Sequence, residues 1–219
     1  MIYSYTSFNC YENCPKQFYY RYVARSLPFQ ETEPMRWGNR VHKALAHRLQ
    51  TKEPLPPTLE QFEPLCAALE QASGPTLIEH TLLTDRARKT AQKASAYMTA
   101  RPDFVTFNDA YTYAFIVDWK TGKPREDDTE LCFQTIALRA HYPSVQAVDA
   151  AYYWTRERRM GPVHDVLAHV DDVWDRLGKT VDLIAKQTAG GEEAFPAKPG
   201  KHFPCPWCTA TFCPFREDA

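Results

Sequence analysis

The period of the apolar positions changes several times along the chain, and each change marks an element. In "PMRWGNRVHKALAHRLQ" (residues 34–50), Val41, Leu45 and Leu49 recur four apart. That stripe predicts an amphipathic helix. "PKQFYYRYV" (residues 15–23) reads as another, with proline in its first turn and aromatics at helical spacing. The proline-rich "KEPLPPT" breaks the chain, and residues 59–72 resume a helical pattern. Helices are also predicted over the polar residues 85–96, over 131–142, and over 171–187, where Trp174, Leu177, Val181 and Ile184 form one stripe and Gly190-Gly191 stops it.

Strand patterns lie between these helices: "TLIEHTLL" (residues 76–83), "PDFVTF", "YTYAFIVDW", "VDAAYYWT" (148–155) and "HDVLAHV" (164–170). "NDA" between the second and third favours a tight reversal, so those two form an antiparallel hairpin. Helices, then a mixed sheet with a helix inserted, then a helix and an irregular tail make one α/β domain over residues 1–219. Its parts are a helical section (1–75), a sheet core (76–170) and a final helix with a cysteine-rich tail (171–219).

Composition narrows the class. Of 219 residues, 44% are hydrophobic and 13% aromatic, which suits a packed core rather than a disordered chain. No apolar run approaches the roughly 20 residues that span a bilayer, and "MIYSYTSFNCYENCPK" lacks the basic start and apolar stretch of a secretory signal. A cytoplasmic protein without a membrane partner is expected. The net charge of −1 is silent on nucleic acid, but "RWGNRVHK", "RARK" and "RERR" concentrate basic residues that could share a phosphate-binding face. Seven cysteines in an intracellular chain point to a metal or cluster rather than to disulfides. Cys10 and Cys14 lie near the start, and Cys205, Cys208 and Cys213 near the end. Cys66 and Cys132 read as small buried apolar residues.

The stretch "FIVDWKTGK" carries the chemistry. Residues i and i+2 of a strand share a face, so Asp118 and Lys120 emerge together where the strand leaves the core. Antiparallel pairing brings Asp103, at the start of the preceding strand, beside Asp118. Two carboxylates held together call for a cation, and hard oxygen ligands suit Mg²⁺ or Mn²⁺. The Trp119 carbonyl offers a further oxygen, and Lys120 can orient an attacking water or stabilise charge on a phosphate.

"PDFVTFNDAYTYAFIVDWK" resembles the PD-(D/E)XK nuclease motif, a Pro-Asp followed about fifteen residues later by acid-X-Lys. Four further features resemble the RecB-like exonuclease branch of that superfamily, which has CRISPR-associated iron–sulfur members and free-standing phage and bacterial ones. "WGNRVHKAL" places the branch's metal-binding histidine on His42, and "LIEHTLL" places its acidic strand position on Glu79. Gln134 in "QTIAL" stands where the branch's glutamine opens a helix, with Leu138 in place of the usual tyrosine. "NCPKQFYYRYV" and "CPWCTATFC" match the branch's cysteine set on Cys14, Cys205, Cys208 and Cys213, with Cys10 as an alternative first member.

The resemblance implies a restriction-endonuclease-like core and a metal-dependent DNA exonuclease acting on ends or single strands in recombination, repair or DNA processing, with protein partners from those processes. It implies Asp103, Asp118, Lys120, Glu79 and Gln134 as the working residues, and His42, Asp103, Asp118 and the Trp119 carbonyl as metal ligands. It also implies a [4Fe–4S] cluster on the four cysteines, with Zn²⁺ as the alternative. A DNA-binding adaptor of the same fold that does not cleave is the competing reading. Paired acids in a phosphate groove argue against it, because they repel the ligand unless a cation lies between. A zinc-stapled scaffold is the third.

Overall fold

The computed structural model describes residues 1–27, 30–124, 126–200 and 204–217, with only the backbone of Trp207. Residues 201–203 of the proline-rich tail lie outside the described residues. The chain divides into two compact units: Thr32–Val173 with the first two residues, and Tyr3–Glu31 with Trp174–Ala219.

The first unit is built on a five-stranded mixed sheet, order β1-β4-β5-β6-β7, with β1 Thr76–Ile78, β4 Phe104–Phe107, β5 Tyr113–Lys120, β6 Ala147–Trp154 and β7 Arg159–Asp165. β5 and β6 are parallel, and every other neighbouring pair is antiparallel. The hairpin expected at "NDA" is present as β4–β5, with Phe104 opposite Val117. Its turn is held by Asn108, whose Oδ1 accepts the backbone N–H groups of Thr112 and Tyr113 at 2.8 and 3.1 Å. Helix α5 (Thr129–His141) connects the parallel strands.

Helix α3 (Glu33–Thr51) covers the other side of β5. Its stripe of Val41, Leu45 and Leu49 joins Phe104, Val117 and Trp119 in one buried cluster. Helix α4 (Glu63–Glu70) and the 3₁₀ turn before it add Leu59, Phe62, Leu65 and Leu69. Fully burying aliphatic and aromatic side chains of this size contributes about 1.5–3 kcal/mol each.

Three strand and helix expectations are corrected. Residues 76–83 form two strands rather than one: β1 lies in the main sheet, and β2 (Leu82–Thr84) pairs with β3 (Met98–Ala100) in a separate ribbon. The chain turns at Glu79, which adopts a left-handed φ of 51°. Residues 85–96 are not helical: the Asp85 carboxylate accepts the N–H groups of Ala87 and Lys89, fixing a turn that outcompetes a helix. Residues 164–170 are not a strand: β7 ends at Asp165, and a 3₁₀ turn (Val166–Ala168) leads into α6 (Val170–Gly190).

The second unit contains α1 (Tyr5–Asn13), α2 (Pro15–Phe18), the greater part of α6 and the tail. Helix α1 escapes the sequence pattern. Its start is a capping box closed by Ser4 and Ser7 instead of a glutamate. Beyond α2 the helix widens into a π turn over Tyr19–Val23. The tail docks on α2 through ordinary contacts: the Lys16 ammonium donates to the Glu192 carbonyl (2.6 Å), the Tyr20 hydroxyl to the Glu192 carboxylate (2.7 Å), and Tyr19 packs on buried Phe195. No helix among the described residues is long and apolar enough to cross a membrane.

Candidate active site

β5 ends on the alternation that the sequence implied. Ile116 and Val117 are fully buried, and Asp118 and Lys120 share a face, with the Lys120 ammonium 2.5 Å from Asp118 Oδ2. Helix α5 supplies two more groups to that face. The Gln134 amide donates to Asp118 Oδ1 at 2.6 Å, and the Glu130 carboxylate lies 2.7 Å from the Lys120 ammonium. Asp118 therefore has one oxygen held by an amide and the other by an ammonium.

Asp103 precedes β4 and is 4% exposed. One of its oxygens accepts the Trp119 backbone N–H at 2.8 Å, and the other lies 2.9 Å from His42 Nδ1. His42 comes from α3, one turn beyond Gly38. An added Cβ on Gly38 would sit 3.1 Å from the Thr121 hydroxyl, so glycine lets the helix approach the end of β5. Glu79, just past β1, reaches to 3.7 Å from His42 Nδ1, and its other oxygen pairs with Arg101 at 2.9 Å. Ligand atoms of His42, Glu79 and Asp103 all lie within 4.8 Å of one another, the one such trio among the described residues.

The electrostatics of this trio show a deficit of positive charge. Burial first, and then the neighbouring Asp118 charge, raise the Asp103 carboxyl from 3.8 to about 7. Burial pulls His42 down, but hydrogen bonds to Asp103 and Glu79 outweigh it and raise the imidazole to about 10. Burial likewise opposes the Lys120 charge, and Asp118 and Glu130 overcome it, so the ammonium is held firmly protonated. A buried acid forced to keep its proton beside a second acid is what a divalent cation would relieve. The His42, Glu79 and Asp103 donor set suits Mg²⁺ or Mn²⁺.

The candidate active-site residues thus gather in one unit: His42 from the helical section, and Glu79, Asp103, Asp118, Lys120 and Gln134 from the sheet core. Trp119 is fully buried, and its backbone N–H anchors Asp103. Glu130 and Arg101 were not among the candidates. The signal for Glu130 was present, since it lies four residues before Gln134 and so on the same helix face. Arg101 carried no pattern; only the fold brings it to Glu79.

In the second unit Cys14, Cys205, Cys208 and Cys213 line one hollow, with Tyr20, Ala210 and Phe215 among its walls. Backbone N–H groups of Lys198 and Gly200 point at the sulfurs of Cys14 and Cys205, each at 3.5 Å. Cys10 does not line the hollow, and its thiol donates to Gln17. Burial pushes Cys10 up to about 12, so it stays a thiol. Cys66 and Cys132 are fully buried, as expected. No three of the described cysteine sulfurs lie within 4.8 Å of one another. A single tetrahedral zinc with Zn–S of about 2.3 Å needs them about 3.8 Å apart.

Fold and site together define a nuclease of the PD-(D/E)XK class. A sequence profile of the PD-(D/E)XK nuclease superfamily matches residues 2–97 and 95–217, and the chain belongs to that superfamily. Among solved structures it is similar to a "Putative exonuclease" from Eubacterium rectale, at 12% identity and a TM-score of 0.55, over 86% of this chain and 82% of that one. At that identity the likeness speaks for the fold. No curated protein matches.

Proposed function

We propose that this nuclease is a divalent-metal-dependent DNA exonuclease that hydrolyses phosphodiester bonds at ends or in single strands. The observation that carries the reading is the convergence of His42, Glu79 and Asp103 on one point next to the Asp118–Lys120 pair. His42, Glu79, Asp103 and Asp118, with the Trp119 carbonyl, would hold the metal ion. When bound, that ion supplies a Lewis acid and lowers the pKa of a coordinated water. Lys120, charged and fixed by two carboxylates, stabilises negative charge developing on the phosphate. Gln134 fixes the orientation of Asp118 by donating to one of its oxygens.

The four-cysteine hollow is read as the seat of a structural [4Fe–4S] cluster held by Cys14, Cys205, Cys208 and Cys213. Four cysteines lining one hollow, and N–H groups directed at two of the sulfurs, support a thiolate-held group there, and the resemblance to iron–sulfur members favours the cluster over zinc.

Digestion of end-labelled single- and double-stranded DNA with Mg²⁺, with Mn²⁺ and with chelator tests the function. Wild type should degrade DNA only with metal, and Asp118→Asn should bind DNA without cutting it. Wild type that binds DNA and never cuts it would establish the non-cleaving adaptor instead.

A further inference from the structure

The turn between β6 and β7 plays no part in the site described above, yet the sheet fastens it there. Thr155, 4% exposed, donates both its backbone N–H (2.9 Å) and its hydroxyl (3.1 Å) to the carbonyl of Lys120. The next residues, "RERR", are Arg156, Glu157, Arg158 and Arg159, and all four are exposed. Three guanidinium groups against one carboxylate are thus pinned to the backbone of the catalytic lysine.

Register fixes which way part of this cluster faces. Lys120 is the parallel partner of Trp154, and Trp154 is the antiparallel partner of Arg159. Directly paired residues of neighbouring strands project from the same face. Lys120, Trp154 and Arg159 therefore form one row on the face that carries Asp118. Buried Trp154 is the floor of the row: its indole lies so close over Gly161 that an added Cβ there would meet Nε1 at 2.9 Å. At about 4.8 Å per strand the Arg159 backbone stands about 10 Å from that of Lys120. Consecutive phosphates along one strand stand farther apart than the axial rise of about 3.4 Å per nucleotide, so that distance spans one to two phosphates.

We infer that Arg159, aligned with Lys120 across the sheet, and Arg156, exposed on the same β6–β7 turn, bind the phosphate backbone of the nucleic-acid strand one to two nucleotides from the scissile bond. The inference rests on the nuclease reading and deepens it. Arg159 now pairs with Glu157 at 2.5 Å and is 57% exposed along its side chain, so a phosphate can compete for it in water. The contact carries no base information. It sets where along the strand Lys120 acts.

The test is fluorescence anisotropy with a labelled 20-nucleotide single strand, in chelator so that nothing is cut, over a series of salt concentrations. It compares wild type, Arg156→Ala/Arg159→Ala, and Lys179→Ala/Lys186→Ala. The last pair removes the same charge from exposed lysines on α6, outside the basic clusters. Loss of two phosphate contacts lowers the slope of log K against log salt by about 1.4 and weakens binding roughly tenfold at low salt. That drop is expected for the arginine pair only. Equal drops in both variants, or an unchanged slope for the arginine pair, overturn the inference and leave the nuclease reading standing. Where the paired acids keep wild type off DNA in chelator, the same series is read in the Asp118→Asn background with Mg²⁺, and no binding there either overturns both.

Discussion

Replacing Asp103 by asparagine should make the metal-free protein gain stability relative to wild type as pH rises from 5 to 8, although it removes a residue that the proposed activity needs. The Asp103 carboxyl is raised from 3.8 to about 7, first by burial and then by the Asp118 charge. A raised folded-state value means the folded protein binds this proton more tightly than the unfolded chain does. The stability it contributes is fully present below pH 3.8 and is lost as pH rises through 7. Between pH 5 and pH 8 the linkage relation gives a loss of about 2.6 kcal/mol, at 1.36 kcal/mol per unit. An asparagine at this position has no proton to lose. Its amide oxygen can still accept the Trp119 N–H, while its NH2 group meets the protonated His42 Nδ1 donor to donor, a cost carried at both pH values, and His42 keeps Glu79 as a partner.

The stability of Asp103→Asn relative to wild type in chelator should therefore rise by up to about 2.6 kcal/mol from pH 5 to pH 8. For a chain of this length that is roughly 5–10 °C in melting temperature. Metal acts in the opposite direction. A ligand at a hundred times its dissociation constant stabilises wild type by about 2.7 kcal/mol, and the variant, short of a ligand, gains far less. Differential scanning fluorimetry at the two pH values, with chelator and with Mn²⁺, reads all four corners. A difference between variant and wild type in chelator that is the same at both pH values would refute the idea that this carboxylate is held at a cost for a cation.

Two further outcomes follow from the contacts. Glu130→Gln leaves Lys120 with one carboxylate instead of two, so single-turnover cleavage should slow about tenfold while DNA affinity in chelator holds; an unchanged rate would reduce Glu130 to a surface partner. Cys208→Ala should yield colourless protein that melts several degrees lower than anaerobically purified brown wild type. The ceiling is about 4–5 kcal/mol for a link that closes so long a loop, and a colourless, iron-free wild type of equal stability would remove the cluster.

Much of the site was legible because its signals are local. The alternation that sends Val117 to one face of β5 and Asp118 and Lys120 to the other needs no distant partner, and neither does the Asn108 turn. His42 sits on a helix whose apolar stripe fixes its facing. What stayed hidden depends on contacts far apart in sequence. Glu79 takes a left-handed φ that β-strand patterning argues against, and its partners there are His42 and Arg101. β2 and β3 are three residues each, too short to show a period, and exist because they pair with one another. The strand expected at residues 164–170 was misplaced because β7 is an edge strand, whose exposed Met160 and Val163 break the inside–outside alternation.

The partners of Lys120 explain why a single acid would not serve beside it. As the chain stands, Asp118 is shared between Gln134 and the Lys120 ammonium, and Glu130 grips the same ammonium from the first turn of α5. Under the proposed function the Asp118 carboxylate would also serve as a metal ligand, and its hold on the lysine would weaken. Glu130 then remains to keep the ammonium on the strand face instead of letting it swing toward solvent. Burial alone would drive an isolated lysine to shed its proton. Two acids ensure that one still opposes burial when the other turns to metal. The spacing of Glu130 and Gln134 by one helical turn follows: Gln134 steadies the Asp118 carboxylate and Glu130 the Lys120 ammonium, from the same face of α5.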